Sequence, residues 1–413
     1  MTGTNWAGNV TYSARRLAEP ASVEELRELV TAEEQVRVVG SRHCFNDIAD
    51  TAGVQVSLGK LSDEGPVRVG EATVRVPGWW RYGDLVPALR DEGVALANLA
   101  SLPHISVAGA VQTGTHGSGD RIGSLATQVS ALEIVDGRGE LVRLERGGAD
   151  FDGAVVGLGA LGVLTHVELD VAPARPVAQR VFEGVRLDAV LGDLSVVTGA
   201  GDSVSMFTTW QDPAVVEQVW VKSAGEPSID GIVAAGGRPA DGPRHPIAGI
   251  DPTPCTPQMG EFGPWYDRLP HFRLEFTPSV GAELQSEYLV PRTDAVAAIE
   301  AVARLAPRIA PLLFVCEIRT MAADQLWLSP AFGADTVGLH FTWKPDEPAV
   351  RALLPELEAA LPDTVRPHWG KVFTMPGDEV AARYPRWADF AELRGRMDPA
   401  RRFSNAYLTR LGL

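Results

Sequence analysis

Cysteine is scarce: Cys44, Cys255 and Cys316 are the three in a chain of 413 residues. They are widely spaced and odd in number, and none stands in a metal-type Cys/His spacing. Neither a disulfide framework nor a zinc site is expected, and no metal is assigned. No uninterrupted apolar run reaches the length that spans a bilayer. The opening MTGTNWAGNVTYSARR lacks the basic-then-apolar order of a signal peptide, which makes the cytoplasm the default location. Dense Lys/Arg runs are missing too. Against 37 basic residues stand 53 acidic ones, a formal charge of −16. Such a chain is not built to track nucleic-acid phosphates or to adhere to an anionic membrane. The acidity reads as solubility. There is no internal repeat and no low-complexity segment.

What is there is ordinary globular composition, 45% hydrophobic and 22% charged, with length enough for two domains. Residues 21–33 have helical periodicity, with Ser22 as N-cap and Glu25 at capping-box spacing. Short β-branched runs at 36–40, 53–59 and 72–78 read as strands, 82–93 as a helix with a Gly stop, and 129–145 as strand, turn, strand. Residues 158–171 end in another strand, and APARP at 172–176 then breaks the pattern, marking a domain boundary. Beyond a Pro/Gly-rich stretch at 225–264 come alternating strands at 272–279, 282–290, 312–320 and 337–343, separated by helices at 292–306 and 347–361. This mixture predicts an α+β protein whose second domain carries an antiparallel sheet.

GLGALG at 157–162 matches G-x-G-x-x-G. A dinucleotide-binding reading needs a strand before it and a helix opening at its end. Here VLTHVELDV follows with strand character, so the topology is inverted. A Gly-rich turn that lets backbone approach a ligand is the better reading.

Two other segments carry more. In VVGSRHCFND (38–47) a strand ends at Gly40, which permits a tight turn, and His43 follows. SLPHISVAGAVQTGTHGSG (101–119) packs small residues together, so its amides and hydroxyls can converge on a pyrophosphate or a ring edge. From composition alone a glycine-rich surface loop competes with that reading.

GSRHCFN and ASLPHISVAGAVQTGTHGSG resemble the FAD-binding signatures of the vanillyl-alcohol-oxidase-type flavoproteins. Within them the chain is similar to the alditol (xylitol/sorbitol) oxidases, from NWAGN at 5–9 to DPARRFSNAYL at 398–408. The resemblance implies a two-domain flavoprotein oxidase. Its PCMH-type FAD-binding domain would span 1–174, a cap domain 175–368, and a C-terminal segment, 369–413, would return to the FAD domain. It implies FAD bound covalently through its 8α-methyl to His43. Further cofactor contacts would come from Gly40, Ser41, Arg42, Cys44, Ser101, Ser106, Gly109, Thr113, Gly114, Thr115, His116, Gly117, Ser118, Gly162, Val163 and Lys371. The family reads G-S-G-H-S where this chain has Arg42 and Cys44. Alternation in an extended chain aims Cys44 away from His43, so it is read as packing. No cysteine stands near Gly109 to make a second link. Ala108 or Gly109 is the expected small residue that admits oxygen.

Gln285 and Glu287, Glu317 and Arg319, and His340 and Thr342 are each two apart in a strand, so each pair shares a face. A sheet face that meets solvent is the plainer reading of such pairs. The resemblance instead implies a polyol pocket lined by Ser101, Gln285, Glu317, Arg319, His340, Thr342 and Lys371. Ser101, Gln285 and Thr342 would bind substrate. Arg319 and Lys371 would stabilise alkoxide character at the reacting oxygen, and Glu317 would hold Arg319. The proton acceptor stays open among His340, a neutral Lys371 and water. The partners implied are a small polyol and O2, with release of H2O2, and a monomer is expected. HWGK at 368–371 also resembles the sugar-lactone oxidases, so an aldonolactone oxidase or dehydrogenase of the same fold is the alternative.

Overall fold

The computed structural model describes residues 3–62, 68–70, 72–276 and 282–413. The first helix, Val23–Ala32, forms where predicted: Ser22 Oγ accepts the Glu25 N–H at 3.1 Å, and Leu26 and Val30 are buried. The reciprocal bond lands one residue early, on the Ala21 N–H, so the capping box is offset. This helix packs near a three-stranded parallel sheet of Arg16–Ala18, Val54–Val56 and Val36–Val38. Beside it lies a five-stranded antiparallel sheet, in the order Arg68–Val69, Thr73–Pro77, Val163–Asp170, Val129–Val135, Leu141–Glu145.

The remaining large sheet has eight strands, all antiparallel and all between Ala178 and Pro367. Its central order is Val215–Ser223, Ser203–Thr208, Leu313–Met321, Thr336–Trp343, Leu284–Pro291. The helix Ala295–Arg304 packs behind it through Ala298, Ile299 and Val302, and Glu347–Ala360 adds Leu353, Leu354 and Leu357. Residues 272–276 are not the strand their alternation predicted, and 277–279 lie outside the described residues. Phe272 keeps only an isolated bridge to Cys255, because the Pro-rich chain before it bends across the face of the large sheet.

The C-terminal residues return to the first strands. Val36 N–H donates to Arg402 O at 2.8 Å, and Phe45 N–H donates to Gly370 O at 2.7 Å. Asn405 Nδ2 donates to the carbonyls of Ile48 and Asp50. Buried Arg37 binds four carbonyls, those of Ile48, Leu158, Gly159 and Phe403, joining three distant stretches of chain at one point. Among the described residues no helix is long and apolar enough to cross a membrane.

Candidate active site

The strand Val36–Val38 leads into a turn at Gly40. A Cβ there would sit 2.4 Å from Ser106 Oγ, so glycine lets the two signature segments interlock. Ser41 Oγ accepts the Ser106 N–H at 3.0 Å across the same junction. Arg42 has φ +63°, a left-handed conformation in which glycine is at ease and other residues are strained. Its guanidinium lies 5.6 Å from the Tyr12 ring centre. His43 stacks on Trp6 with ring centres 5.3 Å apart. Its Nδ1 is buried without a hydrogen-bond partner, and burial pushes the imidazole pKa down to about 4, so the ring is neutral. Cys44 also borders the cavity, and burial pushes its thiol up to about 11. It is a protonated, unreactive thiol at neutral pH.

The segment 101–119 is not a surface loop. It forms a short helix, Val107–Gln112, and a buried return in which Thr113 Oγ1 donates to Gly109 O. Ser101, Ser106, Ala108, Gly109, Thr113, Thr115 and His116 line one large cavity together with Gly40, Ser41, Arg42 and His43. Gly162 joins them, as do Leu158 and Gly159 from the GLGALG turn, which runs into the strand Val163–Asp170 and opens no helix. Gly114, Gly117, Ser118 and Val163 do not border the cavity. Two of them shape the turn: Gly114 has φ +66°, and Ser118 Oγ meets Ser203 Oγ at 2.6 Å, docking the loop onto the large sheet.

The other end of the cavity is one face of the eight-stranded sheet. Register places Phe207, Glu317, His340 and Glu287 in a row across four strands, with Gln285 opposite Thr342 and Arg319 opposite Gly338. This face does not meet solvent: Glu287 is 1% exposed, Glu317 4% and Arg319 7%. Arg319 Nη2 donates to Glu287 Oε1 at 2.9 Å, Nη1 lies 3.5 Å from Glu317 Oε2, and Nη1 reaches Ser101 Oγ at 3.5 Å. Burial opposes the guanidinium charge, yet the two carboxylates hold its pKa above the ordinary value. Burial likewise opposes the carboxylates, and Arg319 pulls both well below the usual range. Gln285 Oε1 accepts from Lys371 Nζ and from His340 Nε2 at 3.1 Å. Burial lowers the Lys371 pKa and holds His340 down at about 3, so its imidazole is neutral. All seven residues of the expected pocket, Ser101, Gln285, Glu317, Arg319, His340, Thr342 and Lys371, border this cavity.

Three residues here had no role assigned from the sequence, Glu287, His271 and Lys222, and His116, expected as a cofactor contact, gains a second partner. Glu287 was visible as the in-phase neighbour of Gln285, yet its pairing with Arg319 is set by register. His116 Nε2 lies 3.0 Å from Glu287 Oε1. His271 and Lys222, described below, come from stretches with no pattern pointing at the site. Among the described residues no His/Cys/Asp/Glu group could hold a metal ion.

The residues fit a flavin dinucleotide. A glycine turn too crowded for a side chain, a buried imidazole nitrogen without a hydrogen-bond partner and a run of small residues border the same cavity as the buried charged face. The comparisons agree. Residues 14–145 match the profile of the FAD binding domain, and residues 282–411 match that of D-arabinono-1,4-lactone oxidase. A solved cholesterol oxidase from B. sterolicum superposes with TM-score 0.77 at 16% identity, covering 99% of this chain and 96% of that one. The fold and the site define a two-domain, FAD-dependent oxidoreductase with an antiparallel-sheet cap. An alditol oxidase from a Streptomyces species is 47% identical over 98% of this chain and 97% of its own length. L-Gulono-1,4-lactone dehydrogenase of Mycobacterium tuberculosis is 29% identical over 99% and 98%. The chain belongs to the alditol oxidase family of FAD-dependent oxidases.

Proposed function

We propose that this protein oxidises the terminal hydroxyl of a small polyol such as xylitol, sorbitol or glycerol to the aldehyde, reducing O2 to H2O2. The FAD is attached covalently through His43, whose buried Nδ1 has no hydrogen-bond partner. The observation that carries the reading is the sheet face of Glu317, Arg319, His340 and Thr342, buried, with Gln285 half-buried beside them, all bordering the same cavity as His43. FAD, when bound, supplies the hydride acceptor and the route of electrons to O2.

An alditol is a chain of hydroxyls, each a donor and an acceptor, and only a dense polar lining can replace the water it loses. Ser101, Gln285 and Thr342 supply donors and acceptors of that kind. Arg319 and Lys371 place fixed positive charge against the reacting oxygen as it gains alkoxide character. Donors preorganised in this way are worth about 3 kcal/mol of transition-state stabilisation each. Glu287 and Glu317 hold the Arg319 fork in one orientation. His340 spends its Nε2–H on Gln285, which leaves Nδ1 to accept from the substrate hydroxyl. Ala108 and Gly109, both at the cavity wall, keep space for oxygen. We further assign residues 1–174 and 369–413 to the FAD-binding domain and 175–368 to the cap, in a cytoplasmic monomer.

Xylitol, sorbitol, glycerol and L-gulono-1,4-lactone assayed side by side for peroxide test the substrate class. Turnover of the polyols supports it, and turnover of the lactone alone overturns it. Denaturation in acid tests the link: yellow colour stays with the wild-type pellet and leaves that of His43→Ala.

A further inference from the structure

Behind Glu317, on the side away from Arg319, lies a second buried chain of polar groups. His271 Nε2 sits 2.9 Å from Glu317 Oε1, and His271 Nδ1 sits 2.9 Å from Lys222 Nζ. Lys222 is 1% exposed and its ammonium also donates to the carbonyls of Leu269 and Pro270. An ammonium has only hydrogens to offer, so Nδ1 must accept and Nε2 must carry the imidazole proton. That proton is aimed at Glu317. The His271 N–H and the Phe272 N–H both donate to Ser101 O, at 3.1 and 3.2 Å, and Ser101 Oγ in turn receives Arg319. The contacts close a ring: Ser101, His271, Glu317, Arg319.

We propose that Lys222 and His271 are positioning residues for the oxidation: Lys222 selects the His271 tautomer, His271 fixes the Glu317 carboxylate, and Glu317 and Ser101 together fix the Arg319 fork. The inference rests on the polyol-oxidase reading and extends it to Lys222, which does not border the cavity, and to His271, which borders it beside Glu317. Burial of a lysine against the interior is costly unless the ammonium is used. Here every hydrogen of Lys222 has an acceptor, and one of them is the histidine that grips the active-site carboxylate. Opposite Lys222, the paired positions on the two neighbouring strands are the uncharged Gln179 and Ser203. The segment before His271 adds the Cys255 thiol, pushed up to about 12 by burial and so neutral, and the strand Leu313–Met321 adds Glu317 and Arg319. Burial holds Lys222 at about 7. Above that pH the neutral amine has a lone pair of its own, His271 can turn its proton toward Lys222, and Glu317 loses its donor.

The test uses holoenzyme with its flavin content checked by absorbance. His271→Leu should lower kcat about 10–100-fold, the range typical of a partner that orients a reactive group, with KM changed far less. His271→Gln, whose amide can still donate to Glu317, should recover most of it. Wild-type kcat should fall as pH rises through about 7, and Lys222→Met should be slow and lack that limb. Nitrogen-15 spectra of histidine-labelled protein give a readout independent of turnover: the His271 signal, identified by its loss in His271→Gln, should report the Nε2–H tautomer below pH 7 and change in Lys222→Met. A His271→Leu variant that keeps wild-type kcat, or an Nδ1–H tautomer at low pH, overturns the relay. A wild type that turns over no polyol overturns the functional reading instead, and the spectra still judge the relay.

Discussion

Removing the Arg319 charge should reverse how stability depends on pH. In the wild type Glu287 and Glu317 are held well below the usual carboxylate range by Arg319, so their contribution is present above about pH 4.5 and lost only in strong acid. In Arg319→Met the burial that opposes both charges is no longer offset. Breaking a buried pair by removing one partner costs about 3–5 kcal/mol. The carboxylates escape part of that by taking up protons, their folded pKa values rising above the unfolded ones. The folded state then binds more protons than the unfolded state, and stability falls as pH rises from about 4.5 through the new values. Urea unfolding should therefore find Arg319→Met markedly weaker than wild type at pH 8 and closer to it at pH 5. Catalysis should drop about 10²–10³-fold in kcat, the usual effect of deleting one preorganised donor. Arg319→Met combined with Glu287→Gln and Glu317→Gln separates the two effects: stability should return while kcat stays low. A single variant as stable as wild type at pH 8, or a triple variant with normal turnover, would refute the argument.

Gly162 has φ +153° and an added Cβ would meet Ile134 Cγ2 and Val135 O at 2.4 Å, so Gly162→Ala should cost about 1–3 kcal/mol or more in thermal unfolding and reduce flavin content. Arg42→Gly should be nearly neutral: relief of about 1 kcal/mol of left-handed strain is set against loss of the Tyr12 contact, worth about 0.5–1 kcal/mol. Flavin attachment, read by colour in the acid pellet, should survive that change. Arg37→Met leaves the carbonyls of Leu158, Gly159 and Phe403 without their donor, while Ile48 O keeps Asn405 Nδ2; at about 1–3 kcal/mol for each unsatisfied group it should unfold at far lower urea than wild type. A polyol lacking the reacting-end hydroxyl contacts should be rejected by about 10⁴-fold in kcat/KM, since the site's own polar groups lose partners.

Local order determined much of this protein. Period-2 alternation located the strands at Leu284–Pro291, Leu313–Met321 and Thr336–Trp343 and put Glu317 with Arg319 and His340 with Thr342 on common faces, because side-chain direction in a strand depends on parity alone. The glycine at 40 and the small residues of 101–119 announced a close approach of backbone, and the strand after GLGALG excluded a helix-borne dinucleotide turn. Parity does not say which face is buried. Only the packing of the glycine-rich segments and the 255–276 stretch over the sheet turned a face that alternation could equally give to solvent into a buried cavity wall. Arg42 looked like a departure from a motif until its backbone proved left-handed. Glu287, His271 and Lys222 entered the site, and His116 met Glu287, through register and chain crossing, contacts between residues 32 to 171 positions apart that no local pattern encodes. Spacing along the chain carries the periodicity of one element, and it carries no information about which elements meet.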